Sequence, residues 1–168
     1  MIERVRIRGY RSLHDVDVKL EPLTVLIGRS GTGKSNFVRA LRLLRDYLTR
    51  PVPVAGNQPF GEPGAAFQVE LALKLKGVGR LTYSLGLSAD GHVRSEKLCS
   101  EERVVFETAH ASTQAGVLRL KWVVEPSITP LPPVERAMLG RLTGVREATV
   151  AYIALTRGLG CYDFTGGV

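Results

Sequence analysis

The residues Gly28-Arg29-Ser30-Gly31-Thr32-Gly33-Lys34-Ser35 fit the pattern G-x-x-x-x-G-K-[ST]. An apolar run, Val25-Leu26-Ile27, precedes them, and a long amphipathic stretch follows. Strand, glycine-rich turn and helix is the context in which this pattern forms a phosphate-binding P-loop, or Walker A motif. The chemistry needs these residue types. Gly28, Gly31 and Gly33 let the backbone wrap closely enough for successive N–H groups to form an anion-binding nest. The opening helix adds its unsatisfied amides and its dipole. Lys34 is placed to reach β- and γ-phosphates, and the Ser35 hydroxyl to ligate Mg²⁺. The motif thus predicts a site for a nucleotide with Mg²⁺, formed by Gly28, Arg29, Ser30, Gly31, Thr32, Gly33, Lys34, Ser35 and Asn36.

The stretch after the loop reads as a helix over 34–49. Phe37, Ala40, Leu41, Leu44, Tyr47 and Leu48 recur at helical spacing, Asn36, Arg39, Arg42, Asp46 and Thr49 fall opposite, and Pro51 and Pro53 end it. Before the loop, residues 2–8 and 14–20 read as strands, and 23–27 as the strand feeding the motif. Residues 50–66, with four Pro and three Gly, form a loop. A β-rich block follows. Phe67, Val69, Leu71, Leu73 and Leu75 alternate with polar or small residues, and so do Leu81, Tyr83, Leu85 and Leu87 across the turn Lys76–Arg80. Ala89-Asp90-Gly91 is a second tight turn. Strands over 92–99, 102–109 and 117–124 complete an antiparallel meander with one face buried, Tyr83 and Trp122 serving as core or interface residues. Residues 128–133 are a linker and 134–142 a short helix. Residues 145–155 fit either helix or strand, and 158–168 read as a strand end and loop. The expected organisation is a P-loop core over 1–50, a loop over 51–66, an antiparallel lobe over 67–125, and a linker, helices and the end of a fragment over 126–168.

Charge adds one constraint. Of the net +7, residues 1–50 carry +6, from eleven Lys and Arg against five Asp and Glu. Arg4, Arg6 and Arg8 recur at period two and share one strand face. That face suits either phosphate or DNA contact, or plain solvation. No apolar run approaches the ~20 residues of a membrane span, and Met1–Arg6 alternates like a strand rather than a signal peptide. A cytoplasmic location is expected. Cys99 and Cys161 are too few and too far apart for a metal site or disulfide framework, and His14, His92 and His110 are isolated surface positions.

Ile7-Arg8-Gly9-Tyr10-Arg11-Ser12-Leu13-His14-Asp15-Val16, then Leu23-Thr24-Val25-Leu26-Ile27-Gly28 and Gly33-Lys34-Ser35-Asn36, resemble the opening of ABC-type P-loop ATPases of the RecF/SMC-like group. Within that group they resemble the AAA-family ATPases related to the OLD (overcoming lysogenization defect) proteins. The match covers residues 1–48. It implies an α/β fold: the N-terminal part of an ABC-ATPase head with an antiparallel β lobe, incomplete in itself. It implies ATP and Mg²⁺ as ligands, and hydrolysis between two heads. A homodimer, or a partner chain supplying the rest of the head, follows, with a DNA- or nuclease-linked role in repair or phage defence. The resemblance places Arg11 near the nucleotide, to pair with phosphate or stack on the base. The residues themselves equally allow Arg11 to pair with Asp15 or Asp17. Ser30 departs from the family, which commonly has Asn there.

A complete site of this kind needs an apolar strand ending in Asp-Glu, to organise Mg²⁺ and the attacking water. Trp122-Val123-Val124-Glu125 and Leu159-Gly160-Cys161-Tyr162-Asp163 fit that context poorly, and no signature segment resembling LSGG is present. The alternative reading is a nucleotide-binding assembly module or switch without hydrolysis of its own. A GTPase lacks support because there is no N-K-x-D motif. A small kinase does not explain the meander.

Overall fold

The computed structural model describes residues 1–49, 67–88, 91–101, 103–109, 137, 139–142 and 144–159. Six strands, β1 (Ile2–Tyr10), β2 (Leu13–Lys19), β3 (Phe67–Leu75), β4 (Gly79–Leu87), β5 (Val93–Ser100) and β6 (Arg103–Ala109), form one sheet in the order β2-β1-β3-β4-β5-β6. Every neighbouring pair is antiparallel. Helices α1 (Lys34–Thr49) and α2 (Arg146–Arg157), with a short 3₁₀ turn at Leu139–Arg141, complete a mixed α/β architecture.

The alternation read from the sequence sorts the two faces of the sheet. Val5, Ile7, Phe67, Val69, Leu71, Leu73, Leu81, Tyr83, Leu85, Leu87 and Leu98 are buried. Their in-between neighbours, such as Arg4, Gln68, Glu70 and Thr82, are exposed. Onto the apolar face α1 sets Phe37, Ala40, Leu41, Leu44, Tyr47 and Leu48, the stripe its spacing predicts, together with Leu43. Each of the Leu and Phe side chains among them, taken fully out of water, contributes about 1.5–3 kcal/mol. At the hairpin end of the sheet Tyr10 meets Phe67 edge to face, ring centroids 5.6 Å apart.

The ambiguous stretch 145–155 resolves as α2. Ala148, Ala151 and Leu155 are buried at helical spacing, so a shared core overrides the β-propensity of Thr149, Val150 and Ile153. The Gly158 N–H closes its end on the Ala154 carbonyl. Of the helix expected over 134–142, the described part is the 3₁₀ turn, with Ala137, Leu139 and Leu142 buried. The loop 50–66, the strand 117–124 with Trp122, the linker 128–133, His110, Cys161 and the poorly fitting acidic candidates ending in Glu125 and Asp163 lie outside the described residues.

One expectation needs correction. Among the described residues, 23–27 join no strand ladder, and Leu23, Val25 and Ile27 are 83%, 69% and 90% exposed. A strand exists only through a neighbour's N–H and C=O groups. The described sheet ends at β2, and no described ladder joins this segment to that edge.

Buried within the sheet is one charged residue that the alternation did not reveal. Glu96 on β5 has no exposed surface. Its Oε1 accepts hydrogen bonds from the Tyr83 hydroxyl and the Leu139 N–H, each at 2.9 Å. It thereby ties the 3₁₀ turn to the sheet. Burial, reinforced by the nearby Glu96 charge, pushes the Tyr83 phenol well above its ordinary pKa.

Candidate functional site

The site is assembled by a tight hairpin and a helix start. Tyr10 pairs with Leu13, leaving Arg11 and Ser12 as a two-residue turn. Arg11 adopts a left-handed conformation, with φ of 49°, as such hairpin turns demand. The turn sets Ser12 against the glycine-rich loop. Asn36 Nδ2 donates to Ser12 Oγ at 2.8 Å. A Cβ placed on Gly33 would meet Leu13 Cδ2 at 3.1 Å and Ser12 Oγ at 3.4 Å. Gly33, with φ of +93°, therefore has both a conformational and a steric reason to be glycine. Its carbonyl accepts from the Phe37 N–H at 2.9 Å, which begins α1.

The loop closes around Lys34. The ammonium donates to the Gly28 and Arg29 carbonyls, each at 2.6 Å, and to Thr32 Oγ1 at 3.2 Å. Thr32 in turn donates to the Arg29 carbonyl at 2.9 Å. All of these acceptors are neutral. Among the described residues Lys34 forms no ion pair, and the first turn of α1 holds no acidic residue. Positive charge therefore concentrates at the helix N-terminus, where the helix dipole adds to it. Arg29, Ser30, Gly31, Thr32 and Ser35 are exposed around it.

Arg11 lies with its guanidinium 5.8 Å from the centre of the Tyr10 ring, within cation–π range. Burial raises the Tyr10 phenol above its ordinary pKa against the opposing pull of Arg11 and Arg39. The carboxylates weighed as partners for Arg11 are held by other arginines. Arg4 Nε donates to Asp17 at 2.7 Å. Arg6 grips Asp15 with two nitrogens at 3.0 and 2.8 Å, and Arg8 adds a third bond at 3.1 Å. Arg4 and Arg6 each reach diagonally across the hairpin, because Arg6 stands opposite Asp17 and Arg8 opposite Asp15. The bonds from Arg6 hold the Asp15 carboxyl down at about 2, with Arg8 contributing. The arginine stripe of β1 is thus a ladder of ion pairs, and much of its charge is answered on β2. His14 and His92 are exposed.

The structure brings together Gly28 through Asn36 and sets the Arg11-Ser12 turn beside them. Ser12, the anchor of Asn36, was not singled out as a contact in the sequence. The strands read from the sequence, 2–8 and 14–20, leave five residues between them, so the two-residue turn that places Ser12 emerges only from the observed pairing of Tyr10 with Leu13. Among the described residues no helix is long and apolar enough to cross a membrane.

Residues 1–70, under half of the chain, match a family described as AAA ATPase domain. A 44-residue stretch is 39% identical to the OLD nuclease of Thermus scotoductus; it is 26% of this chain and 8% of that protein. Among solved structures, an SMC ATPase studied for ATP-driven dimerization and DNA-stimulated activation overlaps 61% of this chain and 70% of that chain, at 18% identity and a TM-score of 0.47. The recombination mediator RecF with ATP overlaps 61% of this chain and 27% of its own, at the same identity and TM-score. This chain therefore spans a small part of the OLD nuclease and about a quarter of RecF. Over its first 70 residues the chain is similar to AAA ATPase domains, and over 44 residues to the OLD nuclease.

Proposed function

We propose that Gly28–Asn36 binds the phosphates of Mg²⁺-ATP. The observation that carries this reading is Lys34. Among the described residues its ammonium, inside the loop, is bonded only to neutral oxygens, so its charge is available to an anion. The cradle fits the ligand: a Cβ on Gly28 would stand 3.3 Å from Thr32 Oγ1 and 3.9 Å from Lys34 Nζ, filling the space beside the ammonium. In this reading the loop amides hold the phosphates, Lys34 spans the β- and γ-groups, and the exposed Ser35 hydroxyl ligates Mg²⁺. Bound Mg²⁺ would neutralise phosphate charge. Asn36, fixed by Ser12, holds the first helical turn in place, and Arg11 pairs with phosphate or stacks on the base.

Within a whole protein this segment would serve as the N-terminal part of an ATPase head. A second head, or a partner chain, would supply the catalytic carboxylate and signature. The relative named a nuclease supports a DNA-linked task; in this reading it serves repair or defence and is carried out in the cytoplasm. A second reading is nucleotide binding without turnover by these residues. It is favoured by Asp15 and Asp17, the carboxylates of the hairpin beside the loop, being committed to arginines.

The test is Mg²⁺-ATP binding and steady-state hydrolysis by the 168-residue chain and by Lys34→Ala on the same samples. The expected result is binding that weakens at least about tenfold, ~1.4 kcal/mol, in the variant. Equal binding by both proteins would refute the site. Turnover that Lys34→Ala abolishes would place a catalytic carboxylate within this chain and refute the second reading.

A further inference from the structure

Among the described residues Arg11 is the one residue other than glycine with a positive φ, at 49°. Ser12 after it has a negative φ. A two-residue hairpin turn of this sense favours glycine at its first central position. Arginine there strains the backbone, and glycine would not. A strained residue at the tip of a hairpin, beside a phosphate-type loop, points to a task for its side chain.

Two contacts fix where that side chain starts. The Arg11 guanidinium stands 5.8 Å from the centre of the Tyr10 ring, and Tyr10 is buried against Phe67. On the other flank of the turn, Ser12 Oγ accepts from Asn36 Nδ2 at 2.8 Å. Asn36 lies in the first turn of α1, next to Ser35 and two residues after Lys34. The hairpin tip is thereby fastened to the segment that carries the ammonium and the hydroxyl. We infer that Ser12 is a positioning residue for Arg11: its bond to Asn36 sets the strained turn at the distance from the loop at which the Arg11 guanidinium meets the bound nucleotide. The inference rests on the nucleotide-binding reading above and deepens it. Ser12 is exposed, so water replaces Asn36 when the bond is cut. The bond therefore adds little to the fold and matters through what it aligns.

The test measures Mg²⁺-ATP affinity by calorimetry and urea midpoints by circular dichroism on the full 168-residue chain and on Lys34→Ala, Arg11→Gly, Ser12→Ala and the double variant Arg11→Gly/Ser12→Ala. Arg11→Gly should unfold at a higher urea concentration than the parent, its strain relieved, yet bind at least about tenfold more weakly, as loss of a charge-assisted bond implies. Ser12→Ala should keep the parent's midpoint and bind about three- to tenfold more weakly, the range for one hydrogen bond. In the Arg11→Gly background the same change should alter affinity by less than about twofold, since no guanidinium is left to position. A merely structural role would give Ser12→Ala its full effect in both backgrounds, and that result would overturn the inference. So would parental affinity in Ser12→Ala or in Arg11→Gly; if Lys34→Ala still weakens binding, the nucleotide site stands and only the positioning role falls. Unchanged binding in Lys34→Ala would remove both.

Discussion

Gly31 and Gly33 give a paired test of why the loop needs glycine. Both have positive φ, +81° and +93°, so alanine at either is strained by about 1–2 kcal/mol. Their surroundings differ. A Cβ at Gly31 meets nothing within 4 Å, whereas at Gly33 it stands 3.1 Å from Leu13 Cδ2. Leu13 is 4% exposed and packed in the core, so it cannot swing away into solvent. Gly33→Ala should therefore carry an overpacking cost of about 1–3 kcal/mol beyond the backbone strain. Urea unfolding followed by circular dichroism measures both variants. With a slope of about 1–3 kcal/mol/M, Gly33→Ala should unfold at least a few tenths of a molar below Gly31→Ala. Equal midpoints for the two variants, or an unchanged midpoint for Gly33→Ala, would refute the claim that the hairpin is packed onto the loop through this residue.

Glu96→Ala leaves the Tyr83 hydroxyl and the Leu139 N–H without their acceptor in a buried site. It should cost roughly 2–6 kcal/mol, from about 1–3 for each orphaned group; Glu96→Gln keeps an acceptor oxygen and should lose clearly less in the same denaturation assay. Asp15 is held at about 2 by Arg6 and Arg8, below its unfolded value of 3.8. Its ion pairs therefore support the fold above pH 4, and that support should fade as pH falls from 4 through 2; Asp15→Asn should flatten the pH dependence of stability in that window. Tyr47 is pushed up to about 12 by burial, with Glu96 adding to it. Absorbance titration should find this phenol ionising about two units later in the folded protein than in urea. Its contribution to stability is present below pH 10 and lost as pH rises through 12, and Tyr47→Phe should remove that alkaline loss.

The helix after the loop was legible to the residue, since Lys34–Thr49 matches the expected 34–49. Its buried stripe is the 3.6-residue period of six named side chains, and Pro51 and Pro53 are local stop signals. The strands of the meander were equally readable, because alternation over Phe67–Leu75 and Leu81–Leu87 can bury only one face. The glycine-rich loop was visible as a motif whose residue types are dictated by backbone geometry. The edge of the sheet and the placement of Glu96 were not readable in this way. The bulge between Leu98 and Cys99 and the approach of Leu139, 43 residues away, belong to tertiary packing.

By itself, then, the sequence determined the periodic elements and the loop that joins them, because these follow from interactions a few residues apart. Only the tertiary structure decided that β1 pairs with β3 as well as β2, so that the strands on either side of the loop and helix share one sheet. It also decided that Asp15 and Asp17 answer the arginine stripe instead of Arg11, that Ser12 holds Asn36, and that Leu23–Ile27 joins no ladder among the described residues. Each of these depends on which segment comes to lie beside another. That choice is made by the whole core as it excludes water, and no local pattern of residues records it.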